Sequence, residues 1–314
     1  MKVLVDVALG DDQLQRIQLA AGDATVVVAT EREDIYRQVR DADVVFGRFG
    51  PDLFERAGQL RWVQTLGAGV DGVLFDDFIA SDVVLTSEKG HVGPHLAEQA
   101  FALLLAITRG VARAVREHTW DNKWSIRSEC WELTDRTLGI VGLGGTGREV
   151  ARRSAAFGMR VVAVDPEAVE RPPEVEAVWR MDGFYRLLGE SDAVVVCAPL
   201  TPETRGMFDL AAFQHMKRTA ILVNVTRGAI VDDASLVQAL REKLIAAAGL
   251  DVTPIEPLPP DHPLWTMDNV VITPHVAGAS PRRMDRVVDL FCHNLVRLRE
   301  GKPLDSVIDK RKGY

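Results

Sequence analysis

The chain has 314 residues, 47% of them hydrophobic, enough for a sizeable core and more than one core comfortably serves, so two domains are expected. Its formal net charge of −8 comes from acidic and basic residues scattered along the sequence, and no basic block is present to track phosphates, which argues against nucleic acid as a partner. Cys130, Cys197 and Cys292 lie too far apart for a disulfide framework or a zinc site, and they suit a reducing cytoplasm.

The opening run Met1 to Val7 turns polar almost at once and reads as a first strand, not as a signal peptide. Short β-branched runs at Val3–Val7, Thr25–Val28, Val44–Phe46, Trp62–Thr65 and Val83–Leu85 alternate with helical stretches and polar turns, the rhythm of a small α/β domain. A long helix is expected from His95 to His118. Its apolar core, Ala100 to Ile107, falls far short of the roughly 20 residues of a membrane span, so no membrane partner is expected. From Thr137 the runs Leu138–Val141, Arg160–Val164, Ala193–Cys197, Ile221–Asn224, Ala246–Leu250 and Val270–Ile272 are almost continuously apolar, as strands of a parallel sheet covered on both faces must be. Pro254, Pro257, Pro259, Pro260 and Pro263 exclude regular structure from the following loop, and a last helix is expected from Pro281 to about Glu300.

Gly142-Leu143-Gly144-Gly145-Thr146-Gly147 follows one of these strands directly and opens a helical stretch. Glycines there permit a tight turn, close approach of a pyrophosphate, and close helix packing, while the helix N-terminus offers free N–H groups to the anion. Asp165 ends the next strand, 23 residues after Gly142, near the spacing at which a carboxylate accepts from both adenosine ribose hydroxyls and repels a 2′-phosphate. NAD is therefore the expected cofactor. The competing reading makes the glycines a plain turn and Asp165 a cap.

Arg227, Glu256 and His275 each stand just past a predicted strand of the same sheet, at the carboxyl end where open α/β sheets bind ligands. An arginine can fork onto a substrate carboxylate, a histidine can pass a proton to a carbonyl oxygen, and a glutamate beside it would hold the histidine's tautomer and favour its charged form. Each taken singly has a bland alternative: a turn arginine, a solvated acid, a structural histidine. No other histidine stands at metal-ligand spacing from cysteine or carboxylate, and no metal is assigned.

With these residues in place, the chain resembles the D-isomer-specific 2-hydroxyacid dehydrogenase family over almost its whole length. The likeness is carried by Gly67-Ala68-Gly69-Val70-Asp71, Ala97-Glu98, the glycine fingerprint, Pro199 to Thr204, Asn224 to Asp232, Leu250-Asp251-Val252, Glu256-Pro257-Leu258 and Thr273-Pro274-His275. The resemblance implies a Rossmann-type doubly wound parallel sheet domain, residues 99–281, inserted into a smaller flavodoxin-like α/β substrate domain, residues 1–98 and 282–314. It implies hydride transfer between the nicotinamide and C2 of a small D-2-hydroxy or 2-keto acid. Arg227, Glu256 and His275 take the catalytic positions. Gly142, Gly144, Gly145, Thr146, Gly147, Asp165, Pro199, Thr204, Val225, Asp251 and Ala277 face the cofactor, Asp251 through the nicotinamide carboxamide. Ala68, Gly69 and Val70 cradle the substrate carboxylate with Arg227. Arg48, in Phe46-Gly47-Arg48-Phe49-Gly50, is expected beside the substrate beyond C2, with a solvated arginine near Asp52 as the alternative.

Two features depart from the family: Thr226 stands where it usually has a small residue before the arginine, and no aromatic follows His275. Glu256 instead of glutamine speaks against the formate-specialised members. The helix at His95–His118, with Trp120, Trp124 and Trp131 behind it, points to a homodimer. A corepressor-like NADH sensor on the same fold is the rival reading, and an NADP-linked reductase is a second.

Overall fold

The structure, a computed structural model, describes every residue from Met1 to Tyr314. The first five apolar runs become β1 (Lys2–Asp6), β2 (Thr25–Val28), β3 (Val44–Gly47), β4 (Trp62–Gln64) and β5 (Val84–Thr86), hydrogen-bonded in parallel in the order β2-β1-β3-β4-β5. This is the flavodoxin-like order, reversing between β1 and β3. One face packs Leu4, Val45, Val63 and Leu85 against Phe49 and Phe78. The other packs Val5, Phe46 and Trp62 against the helix Arg283–Arg299, where Phe46 stacks on Phe291 with centroids 4.3 Å apart.

The second set becomes β6 (Thr137–Val141), β7 (Arg160–Val164), β8 (Ala177–Trp179), β9 (Ala193–Val196), β10 (Ile221–Asn224), β11 (Ala247–Leu250) and β12 (Val270–Ile272), all parallel, in the order β12-β11-β10-β9-β6-β7-β8. Buried helices on both faces explain why these strands are apolar throughout. The strand order reverses between β6 and β9, so their carboxyl ends flank the switch point of a doubly wound sheet. Only β8 escaped the sequence reading: it is a half-buried edge strand of three residues with too little apolar pattern to register.

The long helix expected at His95–His118 is two helices, Gly93–Thr108 and Val111–Glu117. Gly110, at φ +67°, adopts the left-handed conformation that ends helices.

The chain divides into two compact units, Met1–Val92 with Ser280–Tyr314, and Gly93–Ala279. The first crossing thus precedes the helix Gly93–Thr108, whereas the sequence reading placed it at residue 98, inside that helix. The reason is packing: this helix lies against the helix Gly145–Ala156 and against β10, β11 and β12, all of the second unit.

Candidate active site

Each of β6, β7, β9, β10, β11 and β12 is followed within three residues by one singled out from sequence. After β6, Gly142 sits at φ +93°, and a Cβ on it would lie 2.8 Å from the backbone nitrogen of Ala198. Gly147 is equally constrained, since its Cβ would fall 2.1 Å from the carbonyl oxygen of Gly142. A Cβ on Gly144 would meet nothing within 4 Å, so a side chain there would fill open space above the turn. The helix Gly145–Ala156 starts here, with Thr146 buried in its first turn and the backbone N–H groups of Gly145, Thr146 and Gly147 finding no acceptor in the chain. This cradle fits a pyrophosphate. Asp165, immediately after β7, braces it: Oδ2 accepts from the N–H of Leu143 at 2.8 Å and Oδ1 from that of Glu167 at 2.9 Å. Each oxygen keeps a lone pair for a further donor.

Past β9, the hydroxyl of Thr204 donates to the carbonyl of Pro199 at 2.7 Å and accepts from the N–H of Thr201 at 2.8 Å, closing the Pro199–Thr204 loop on itself. Desolvation pushes the Cys197 thiol well above its ordinary range and keeps it protonated. Past β10, the side chain of Val225 is buried in the core, so only its backbone is available to a ligand. Asn224 shapes the next turn: its amide donates to the carbonyl of Arg227 at 2.9 Å, and its Oδ1 accepts from the N–H of Thr226 at 3.1 Å. Sequence reasoning gave Asn224 no role of its own, although an asparagine at a strand end just before a turn is a recognisable signal.

Gly228 lets this turn approach the next loop. Its Cβ would stand 1.9 Å from the carbonyl oxygen of Thr253, so no side chain fits. On that loop the N–H of Thr253 donates to Glu256 Oε1 at 3.0 Å, and the other carboxylate oxygen meets Nδ1 of His275 at 2.7 Å. A carboxylate can only accept, so Nδ1 carries the proton and Nε2 is left to face outward; the imidazole side chain is 48% exposed.

His275 stands at φ +53°, a conformation costing a non-glycine residue about 1–3 kcal/mol unless its surroundings impose it. Asp251 does. Its carbonyl accepts from the N–H of His275 at 2.8 Å, Oδ1 from the N–H of Val276 at 3.0 Å, and Oδ2 from the N–H of Ala277 at 2.8 Å. Asp251 is 1% exposed, and Ala277 is also buried. No group of three or more His, Cys, Asp or Glu side chains could hold a metal ion.

In the first unit, the N–H groups of Ala68, Gly69 and Val70 have no acceptor within the chain, while the carbonyls of Gly67 and Ala68 accept from Glu88 and Ser87. Beneath this loop Arg283 donates to the fully buried Glu88 at 2.8 Å and to the carbonyl of Leu66 at 2.9 Å. Burial pushes the Glu88 carboxyl up, and Arg283 opposes the shift. Arg48 pairs with Asp6, at 2.8 Å from Nη2 and 3.3 Å from Nε, and not with Asp52, which accepts from Tyr36. The register sets Asp6 of β1 opposite Gly47 of β3, so Arg48 emerges beside the Asp6 carboxylate.

A glycine-lined anion cradle at the switch point and a paired histidine on the same sheet edge define a dinucleotide-binding oxidoreductase site. Residues 101–277 match the family described as D-isomer specific 2-hydroxyacid dehydrogenase, NAD binding domain. A glyoxylate reductase of Korarchaeum cryptofilum is 38% identical over 287 residues, covering 88% of this chain and 85% of the relative. A D-3-phosphoglycerate dehydrogenase of Methanocaldococcus jannaschii is 30% identical across 98% of this chain, which spans 59% of that protein. The crystal structure of a D-isomer specific 2-hydroxyacid dehydrogenase from Xanthobacter autotrophicus Py2, in complex with NADPH and MES, superposes with TM-score 0.83 at 29% identity, covering all of this chain and 99% of that one.

The chain belongs to the D-isomer-specific 2-hydroxyacid dehydrogenase family. It is an oxidoreductase that moves a hydride between a nicotinamide nucleotide and C2 of a small D-2-hydroxy acid or its 2-keto acid, and the sensor alternative is not favoured. No helix is long and apolar enough to cross a membrane.

Proposed function

We propose that this chain is an NADH-preferring reductase of small 2-keto acids in which His275 delivers the proton, Glu256 holds His275, and Arg227 receives the substrate carboxylate. The observation that carries this reading is the 2.7 Å contact of His275 Nδ1 with Glu256, made on the same sheet edge as the Asn224–Arg227 turn. When bound, the nicotinamide supplies or accepts the hydride. The chain's own residues do the rest. Arg227 offers a planar fork to the carboxylate, and protonated His275 gives the Nε2 proton to the C2 oxygen as that oxygen gains charge. Glu256 keeps the ring oriented and balances the imidazolium. The unpartnered N–H groups of Ala68, Gly69 and Val70 suit an anionic substrate group, and Arg48, fixed by Asp6, is assigned to selectivity beyond C2. Three free cysteines fit a reducing cytoplasm.

Substrate and cofactor are tested together, with glyoxylate, hydroxypyruvate, pyruvate and phenylpyruvate each assayed with NADH and NADPH. The relatives named glyoxylate reductase put glyoxylate first in that panel. NADH should win, because a 2′-phosphate would meet the buried Asp165 carboxylate at a cost of several kcal/mol. Equal kcat/KM with the two cofactors, or a gap that Asp165→Ser leaves unchanged, would reject the cofactor assignment.

The same reading includes a homodimer. Val111 and Val115 are exposed on the helix Val111–Glu117, and Trp120 and Trp124 stand 86% and 70% exposed close after it, apolar side chains that a second copy of the chain would cover. Trp131 is not part of this surface, since it packs on the second unit's own core. Light scattering should give twice the mass of one chain, and a single-chain mass at micromolar concentration would rule the dimer out.

A further inference from the structure

The loop bearing His275 is tied to Gln99, which follows the Ala97-Glu98 motif and stands 174 positions before Thr273 in the chain. Nε2 of Gln99, on the helix Gly93–Thr108, donates to the hydroxyl of Thr273 at 2.9 Å, and that hydroxyl donates to Asp251 Oδ1 at 2.5 Å. Asp251 Oδ1 also accepts from Val276 and Oδ2 from Ala277, so three of the roughly four acceptor sites of a carboxylate are spent on the residues flanking His275. The Thr273 hydroxyl has one proton to give, and with Gln99 donating to its oxygen that proton is aimed at Asp251. Gln99, Asp251, Thr273, His275, Val276 and Ala277 all belong to the second unit.

We infer that Gln99 and Thr273 are positioning residues for proton transfer, acting through Asp251 to hold the left-handed turn that presents His275. The physical reason is the turn itself. A non-glycine residue at φ +53° relaxes toward ordinary backbone when its restraints weaken, and a catalytic group displaced by about 1 Å can cost 10²-fold in rate. Without the hydroxyl at Thr273, Oδ1 of the buried Asp251 carboxylate loses its shortest hydrogen bond. The restraint is specific to the histidine loop, because Glu256 is held separately by the N–H of Thr253.

This rests on the reading of His275 as proton donor, and the experiment separates the two. Thr273→Val, isosteric but without the hydroxyl, should lower kcat for keto-acid reduction by about tenfold to a hundredfold. Thr273→Ser should recover most of that loss. Gln99→Leu, removing one neutral hydrogen bond, should lower kcat by about threefold to tenfold. For all three the NADH dissociation constant, measured by calorimetry, should stay within about twofold of wild type, since one neutral hydrogen bond to the cofactor would itself be worth more. If Gln99→Leu fails to fold, the Val and Ser variants of Thr273 carry the test. A Thr273→Val enzyme with wild-type kcat, or one whose only defect is weak NADH binding, overturns the inference while leaving His275 in its role. Full activity of a His275→Ala variant would instead overturn the reading on which it rests.

Discussion

Replacing His275 with alanine should lower kcat for keto-acid reduction by about 10²–10⁴, the worth of a positioned general acid. The NADH dissociation constant should hardly move, because the pyrophosphate cradle lies after β6 and the histidine after β12, at separate strand ends of the sheet. Added imidazole, small enough to enter the vacated space, should restore part of the activity. Glu256→Gln keeps the shape of the contact at Nδ1 but removes its charge, and it should share the direction of the effect at smaller size. An alanine variant within threefold of wild type would assign the proton to another group.

The second large effect belongs to a residue with no side chain. Gly228→Ala puts a methyl group where the carbonyl oxygen of Thr253 stands 1.9 Å away and Pro254 N 2.5 Å away, both backbone atoms that move only if the loop moves. Overpacking of this kind costs about 1–3 kcal/mol in stability. The catalytic cost should be larger than that figure suggests. The Arg227 turn lies on one side of the contact, and on the other lies the loop on which Thr253 holds Glu256 and Glu256 holds His275. On the proposed roles of Arg227 and His275, driving the two loops apart separates these two groups, and about 10²-fold or more in kcat/KM should be lost. A modest fall in melting temperature with that large kinetic loss is the expected pattern. Wild-type kinetics in a folded Gly228→Ala protein would show that the two loops need not touch.

The glycine turn was legible because every requirement it meets is local. Tight turn, helix start and close backbone approach all constrain residue types within six positions, from Gly142 to Gly147. The placing of Arg227, Glu256 and His275 at one sheet edge was legible for a different reason. In a parallel sheet all strands end on one side, so residues distant in sequence can be assigned to one edge before any packing is known. Neither argument reaches pairs made by packing. The Arg48 reading weighed Asp52, four residues on, as its neighbour, whereas the partner is Asp6, 42 residues away and adjacent only through the β1–β3 register. Gln99 carried no signal at all, since its contact with Thr273 spans 174 residues.

By itself, the sequence determined the doubly wound fold class, the nucleotide cradle and the residue types at the strand ends, because hydrophobic period, glycine placement and strand polarity are properties of short segments. Only the tertiary structure decided where the chain passes between its two units, how the expected long helix breaks at Gly110, and how His275 is held. Asp251 shows the division most clearly. Its position after β11 is written in the sequence, yet what its carboxylate oxygens do depends on β12 lying alongside, in the register that pairs Leu250 with Ile272. That register brings the N–H groups of Val276 and Ala277 and the Thr273 hydroxyl within reach of one buried carboxylate. Buried polar groups must find partners, and which partners they find is settled by packing.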